Sequence, residues 1–157
     1  MKVMKFGGTS VGKPQRMHEV AKLIARDEES KIVVLSALSG TTNALVQISE
    51  SLSRGDRAEA KQQIDSLHEH YQNFILELLR DTNTREKASA VLNEHFEFLT
   101  IILKISFSQA LNKDILAQGE LLSTKLFSIY LEEIKVNHVL LPALDFMTID
   151  SYDEPQV

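Results

Sequence analysis

Six consecutive residues near the start of the chain combine the groups that proteins use to hold phosphate. They are Lys5, Phe6, Gly7, Gly8, Thr9 and Ser10. The glycines let backbone N–H groups approach an anion closely, the hydroxyls donate hydrogen bonds, and the lysine supplies a full positive charge. An apolar stretch over about residues 2–6 predicts a β-strand that leads into this turn. The same residues are also compatible with an ordinary tight turn after a strand.

A helix is expected soon after this turn. Apolar residues recur at three- and four-residue steps from Pro14 to about Glu28, and proline is favoured in the first turn of a helix. The free N–H groups and the dipole at a helix start also attract phosphate. Two familiar phosphate loops do not fit, because Thr9 replaces the second glycine of G-x-G-x-x-G and Pro14 replaces the final hydroxyl of G-x-x-x-x-G-K-[ST].

Two further segments carry polar residues suited to a ligand. A second strand is predicted over about residues 31–36, and the loop that follows it, Ser36–Asn43, offers hydroxyls and an amide. A third segment, Gln118–Ser123, places Gly119 inside a predicted helix, where glycine costs about 1 kcal/mol relative to alanine. From the residues alone, the threonines of the loop could simply cap a helix, and a helical glutamate most often faces solvent.

These segments are expected to lie on an α/β fold. The predicted core is a parallel sheet of about three strands with flanking helices, the third strand lying over about residues 136–141 and another short one near 146–149. Helices are expected over about 57–80, from Asn83 onward and over about 113–133, so a helical lobe over about 42–134 lies between strands 2 and 3. The loops after the first two strands leave the same edge of such a sheet and should line one crevice.

The three polar segments resemble, in order, the motifs of the aspartokinases, a branch of the amino-acid kinase family. The resemblance rests on Lys5–Ser10, Val33–Asn43 and Gln118–Ser123, and it extends over essentially the whole chain. It implies transfer of the γ-phosphoryl group of MgATP to the side-chain carboxylate of L-aspartate, toward lysine, threonine and methionine. The absence of cysteine fits a cytoplasmic enzyme. The substrate-binding residues it implies are Thr42 and Glu120, and we expect Ser36 to shape the floor of the substrate pocket.

Phosphoryl transfer depends on in-line positioning and on neutralising negative charge, because two anions must approach each other. We therefore expect a buried or half-buried lysine, Lys5, to be the catalytic charge. The backbone N–H groups of Gly7 and Gly8 and the hydroxyl of Ser10 are expected to hold phosphate oxygens. No general base is required, because a carboxylate nucleophile is already ionised at neutral pH.

Composition excludes several functional classes. The sequence is 43% hydrophobic and 25% charged, and no apolar run reaches the roughly 18 residues that a membrane span needs. It contains no cysteine, which excludes disulfides and thiolate metal sites. Its net charge of −5 argues against nucleic acid as a partner. A histidine metal site is not expected either, since His68 and His70 face different sides of a helix and His95 lies on an apolar stripe.

The resemblance also implies a longer protein. Aspartokinases carry a larger catalytic domain followed by ACT-type regulatory domains, so residues 1–157 correspond to the N-terminal part, without the nucleotide-binding half. We expect this part alone to be inactive, and the apolar stripes of the lobe would allow a homo-oligomer. Two alternatives stay open at this point. One is another amino-acid kinase, acting on glutamate, acetylglutamate, carbamate or a nucleotide, and the other is a non-catalytic helical interaction module.

Overall fold

Two parallel strands and a lobe of four long helices make up most of the molecule. The computed structural model describes residues 1–149 and 155–156. In chain order, the elements are β1 (Lys2–Phe6), α1 (Gly8–Val11), α2 (Pro14–Ile24), β2 (Lys31–Leu35), α3 (Thr41–Ser53), α4 (Arg57–Leu78), α5 (Thr82–Ile102), α6 (Gln109–Glu133), α7 (Ala143–Phe146), β3 (Thr148–Ile149) and β4 (Pro155–Gln156).

The sheet that precedes the lobe has one covered face and one open face. Strand β1 pairs in parallel with β2, so that Val3 lies opposite Ile32 and Lys5 lies opposite Val34. The alternate residues, among them Phe6 and Leu35, pack into the hydrophobic core. On the other face Val3 is 69% exposed, Ile32 46% and Val34 45%. Because parallel sheets are normally covered on both faces, this open apolar face is an unusual feature.

The four helices α3 to α6 close a ring around a single core. Helix α4 contacts α3 and α5, and helix α6 contacts α5 and α3. Each helix turns an apolar stripe toward the centre, as the three- and four-residue spacing of its apolar residues predicts. The fully buried side chains of the lobe include Leu45, Ile48, Tyr71, Ile75, Leu78, Leu92, Leu99, Ile102 and Ile115.

Side-chain caps begin three of these helices. The carboxylate of Asp56 accepts a hydrogen bond from Glu59 N, and the hydroxyl of Ser108 accepts one from Leu111 N. The carboxylate of Asp81 accepts bonds from the backbone N–H groups of Asn83 and Thr84. The helix therefore begins at Thr82, one residue before the expected start at Asn83, because the short side chain of Asp81 reaches the free N–H groups of the first turn.

The α/β class, with a parallel sheet and a helical lobe after its second strand, is confirmed. The expected third strand over 136–141 is wrong, since these residues form neither helix nor strand within the described ranges, with Val139 80% and Leu141 69% exposed. A strand is stabilised by the ladder it forms with a neighbour, and an apolar sequence alone does not supply that neighbour. The segment 146–149 forms the end of α7 and then β3, which pairs antiparallel with β4. No helix in the described part of the chain is long and apolar enough to cross a membrane.

Candidate active site

The glycine turn after β1 starts two helices in succession. Gly7 has an extended backbone and precedes the single turn of α1, in which Ser10 N donates to the carbonyl of Gly7 at 2.8 Å. Helix α2 then begins at Pro14, as the position of the proline predicts. The turn is thus not an open loop, because its second half is already wound into helix.

The glycine turn packs directly against the loop that follows β2. A Cβ atom placed on Gly8 would lie 2.9 Å from the carbonyl oxygen of Ala37, and one placed on Gly12 would lie 2.4 Å from the Cβ atom of Ser39. Real Cβ contacts are essentially never this short. Glycine is needed here because the two backbones approach too closely for a side chain.

Helix α6, which comes much later in the chain, packs against the same loop after β2. A Cβ atom on Gly119 would lie 2.8 Å from the Cβ atom of Ala37 and 3.2 Å from Cγ2 of Thr41. Four residues later the hydroxyl of Ser123 donates to the carbonyl of Ser36 at 2.8 Å. Close helix–loop packing therefore explains the glycine in the middle of α6, and the three motifs meet around Ala37.

The sequence-predicted residues differ in how the fold places them. Phe6 packs against the core, and Gly7, Gly8, Ser10 and Ser36 are half-buried. Four others are exposed, namely Lys5, Thr9, Thr42 and Glu120. The side chains of Lys5 and Glu120 form no hydrogen bond or ion pair within the described ranges. The expectation that Lys5 is buried or half-buried is not met, because it lies on the open face of β1 beside Val34.

Two buried polar side chains of the lobe contact these motifs, and sequence reasoning gave neither a role. The hydroxyl groups of Tyr71 and Thr41 share a hydrogen bond of 2.9 Å. Burial raises the pKa of Tyr71 well above its ordinary value, the bond to Thr41 opposes this rise, and the negative charge of Glu120 adds to it. A tyrosine on an apolar stripe could have indicated such a buried hydrogen bond from the sequence, since a buried hydroxyl needs a partner.

The second side chain is His95, which the sequence places on an apolar stripe and the structure buries. Its Nδ1–H donates to Oε1 of Gln118 at 2.6 Å. Burial lowers the pKa of His95 below its ordinary value, and the hydrogen bond to Gln118 opposes that change. Burial therefore favours the neutral imidazole, and the acceptor Oε1 of Gln118 places a proton on Nδ1.

A cavity of about 570 Å³ lies between α3 and α4 and borders the loop after β2. Its lining is largely neutral and polar and, in the described part of the chain, includes neither Lys5 nor Glu120. The lining residues are Ser39, Gly40, Thr41, Ala44, Gln47, Glu59, Gln62, Gln63, Ser66, Leu67 and His70. Across residues 1–149 and 155–156, no group of three or more histidine, aspartate or glutamate side chains is arranged to hold a metal ion.

Comparison with known proteins shows the family to which this chain belongs. Residues 1–156 match the model of the amino acid kinase family, and the chain belongs to that family. Within it, the chain is similar to aspartokinases. Lysine-sensitive aspartokinase 3 of Escherichia coli is 37% identical over 131 residues, which are 83% of this chain and 28% of that protein. The chloroplastic aspartokinase 2 of Arabidopsis thaliana is 36% identical over 166 residues, covering 99% of this chain and 29% of that one.

A solved structure agrees with the sequence relatives. The crystal structure of E. coli aspartokinase III in complex with aspartate and ADP superposes with a TM-score of 0.69 at 34% identity, and the match covers 86% of this chain and 29% of that one. The chain thus spans less than a third of the length of these relatives.

Proposed function

We propose that this chain is the N-terminal, substrate- and phosphate-binding part of an aspartate kinase. The reaction transfers the γ-phosphoryl group of MgATP to the side-chain carboxylate of L-aspartate. The observation that carries this proposal is the meeting of three motifs around Ala37, where Gly8, Gly119 and Ser123 all contact one loop. The relative crystallised with aspartate and ADP gives independent support.

Lys5 supplies the charge that lets the two anions approach each other. It stands at the carboxyl end of β1, immediately before the glycine turn, and no carboxylate of the described residues neutralises it. The N–H groups of Gly7 and Gly8 and the hydroxyl of Ser10 hold phosphate oxygens, with Phe6 fixing the turn to the core and Thr9 at its exposed rim. The Mg²⁺ ion enters as part of the MgATP substrate, bound to its phosphate oxygens.

Thr42, Glu120 and Ser36 orient the amino-acid substrate. The carboxylate of Glu120 is exposed and has no cationic partner in the described part of the chain, so it can pair with the ammonium group of aspartate. Thr42 follows the buried Thr41 at the start of α3. The backbone of Ser36 is held in place because its carbonyl accepts a hydrogen bond from the hydroxyl of Ser123. A carboxylate substrate is already ionised, so these residues position it without removing a proton.

The complete enzyme requires more than this chain. We expect the nucleotide-binding half and any regulatory domains to lie outside the 157 residues, because the chain spans less than a third of its relatives. The isolated chain should therefore show no measurable phosphorylation of aspartate. We place the full enzyme in the cytoplasm, at the first step toward lysine, threonine and methionine.

The test is formation of aspartyl phosphate, trapped as its hydroxamate, by the complete gene product with MgATP and L-aspartate. Lys5→Ala should lower kcat by about 100-fold or more, because a charge aimed at the transferred group is removed. Lys2→Ala is the matched control, since Lys2 is also exposed on β1 but pairs with Glu29 at its far end. It should change kcat by less than about twofold.

The other outcomes separate the alternatives. If the enzyme phosphorylates a different carboxylate but not aspartate, the proposed substrate is wrong, whereas the assignment to the amino acid kinase family is unaffected. Equal losses in Lys5→Ala and Lys2→Ala would contradict the role given to Lys5. Full activity in Lys5→Ala would leave the glycine turn as a structural feature only.

A further inference from the structure

One buried hydrogen bond ties the helical lobe to the start of α3. It joins Oη of Tyr71 on α4 to Oγ1 of Thr41 at 2.9 Å, and the two side chains are 0% and 2% exposed. Thr41 is the first residue of α3, its N–H donates to the carbonyl of Leu38, and its direct neighbour is Thr42. Whatever holds Thr41 therefore also holds the backbone that presents Thr42.

A second buried hydrogen bond ties the lobe to the glutamate motif of α6. Nδ1–H of His95 on α5 donates to Oε1 of Gln118 at 2.6 Å, and the amide of Gln118 in turn donates to the carbonyl of Asp114. Gln118 precedes Gly119 and Glu120 on the same turn of α6. The bond thus fixes the turn that presents Glu120.

Both bonds face the same interior space. A cavity of about 10 Å³ is lined by Thr41, Tyr71, His95, Gln118 and Gly119 together with apolar side chains. Gly119 and Thr41, which both line this cavity, are also in close contact with each other. Through this cluster, the lobe therefore reaches both sides of the proposed substrate pocket.

We propose that Tyr71 and His95 are positioning residues for the carboxylate substrate. Tyr71 acts through Thr41 on Thr42, and His95 acts through Gln118 on Glu120. The proposal rests on the function proposed above for Thr42 and Glu120. These two side chains have no partner in the described residues, so their placement depends on the backbone beneath them, and a backbone already held in place lowers the ordering cost of binding.

The chemistry of the cluster favours this role over simple packing. A phenylalanine at position 71 and an apolar residue at position 95 would fill the same volume without burying polar atoms. A buried hydroxyl costs free energy unless it is hydrogen-bonded, so its one bond, to Thr41, is specific. His95 keeps Nε2 buried with no hydrogen-bond partner among the described residues. The polar groups thus serve the two bonds rather than the packing.

The first test is Tyr71→Phe in the complete gene product. The Michaelis constant for L-aspartate should rise about fivefold, while that for MgATP stays unchanged. Tyr130→Phe is the matched control, because Tyr130 lies on the same helix as Glu120 but stacks on His18 instead. A rise for both substrates, or an equal effect of Tyr130→Phe, would overturn the role of Tyr71.

Double-variant cycles show whether each residue acts through its stated partner. If Tyr71 acts through Thr41, then Tyr71→Phe should have no further effect on the aspartate constant in a Thr41→Val background. In the same way, His95→Leu should have no further effect in a Gln118→Leu background. Additive effects in either cycle would contradict the corresponding half of the proposal.

Hydrogen exchange gives a readout that does not depend on the reaction. Tyr71→Phe should speed the exchange of amides 41–44, and His95→Leu should speed that of amides 118–122, with the other segment unchanged in each case. If the wild-type enzyme phosphorylates a different acid, the proposed substrate is wrong, and the kinetic cycles are repeated with that acid. Unchanged exchange at the stated segments overturns the positioning role whichever acid is the substrate.

Discussion

The helical lobe and the two-stranded sheet of this chain are covered to very different extents. In the lobe, each of four helices is packed between two others, and side chains such as Tyr71 and Leu92 are almost fully buried. In the sheet, β1 and β2 bury one face and leave Val3, Ile32 and Val34 exposed on the other. Burial of apolar surface is the main stabilising contribution in folding, so the lobe should carry most of the stability.

The candidate site lies across the boundary between these two regions, and its residues follow the same division. On the lobe side, Thr41 and Ser123 are buried and hydrogen-bonded, and Gly119 is closely packed. On the sheet side, Lys5 is exposed on the open face. In the proposed site, the lobe residues are thus already held in place, whereas the charge of Lys5 has no hydrogen-bonded or ion-paired side chain beside it among the described residues.

The largest effect should come from truncating the lobe core. Ile75→Ala removes a side chain that is 2% exposed and should lower the free energy of unfolding by about 2–5 kcal/mol. Ile32→Ala makes the same change on the open face of the sheet, where the side chain is 46% exposed, and should cost less than about 1 kcal/mol. Urea unfolding followed by circular dichroism measures both. Equal losses would mean that the sheet is covered on both faces in solution.

The second largest change in the free energy of unfolding is expected at the contact between α6 and the loop after β2. Gly119→Ala gains about 1 kcal/mol of helix propensity. However, its methyl group would meet Cβ of Ala37 at 2.8 Å, and overpacking of this kind costs about 1–3 kcal/mol. We expect a net loss of stability. Gly7→Ala is the control, because nothing lies within 4 Å of its added Cβ atom and its backbone is extended.

A stability gain in Gly119→Ala would show that α6 and the loop separate easily, which would also weaken the proposed site. A loss in Gly7→Ala as large as that in Gly119→Ala would mean that the glycine turn is packed more tightly than its surroundings indicate. Thermal unfolding of the two variants beside the wild type distinguishes these cases.

The regions also differ in how far their structure follows from local sequence. The lobe helices were predictable, because each carries its own apolar stripe; α4, for example, was expected over 57–80 and runs from Arg57 to Leu78. The third strand was not predictable in this way, because residues 136–141 have an apolar pattern but form no strand within the described ranges. The pattern shows which residues avoid water, whereas a strand also requires a hydrogen-bonded neighbour, which is a property of the whole fold.

The same reasoning applies to the candidate site. Its glycines were recognisable because a costly Gly119 in a helix signals a close approach. The bond between Thr41 and Tyr71 was not predictable, since the two residues lie 30 positions apart and neither belongs to a local pattern that names the other. The exposure of Lys5 was not predicted either. The expected phosphoryl transfer requires a positive charge near the phosphate, but it does not determine which elements of the fold cover the lysine.

A smaller loss of stability is expected when the turn between α4 and α5 loses its hydrogen bonds to α6. The carboxylate of Glu133 accepts hydrogen bonds from the backbone N–H groups of Arg80 and Asp81 and from the hydroxyl of Thr84. It thereby fastens the turn to the end of α6. Glu133→Ala leaves these donors without this acceptor and should cost about 1–2 kcal/mol in urea unfolding.

The neighbouring Glu132→Ala is the control for that variant. Among the described residues, the side chain of Glu132 forms only an exposed ion pair with Lys87, so its loss should cost less than about 0.5 kcal/mol. Partial burial raises the pKa of Glu133, but its hydrogen bonds outweigh this and hold the pKa below its ordinary value of 4.5. Its contribution is therefore complete above pH 4.5 and is lost as the pH falls through the lowered pKa. A difference between wild type and Glu133→Ala that persists at pH 2 would contradict this assignment.

The smallest effect is the pH dependence contributed by His95 in the lobe core. Burial lowers its pKa, so the folded protein binds fewer protons than the unfolded chain, whose histidine titrates near 6.5. Stability is unaffected above pH 6.5 and falls as the pH drops from 6.5 through the lowered pKa, because the buried imidazole must then become charged. Denaturant midpoints at pH 7.5 and 5.5 should differ more for the wild type than for His95→Gln, whereas His70→Gln, which changes an exposed histidine, should keep the wild-type difference. If His95→Gln shows the same difference between the two pH values as the wild type, the pH dependence arises from other groups. Burial of a neutral His95 imidazole would then not be the cause of the loss of stability in acid.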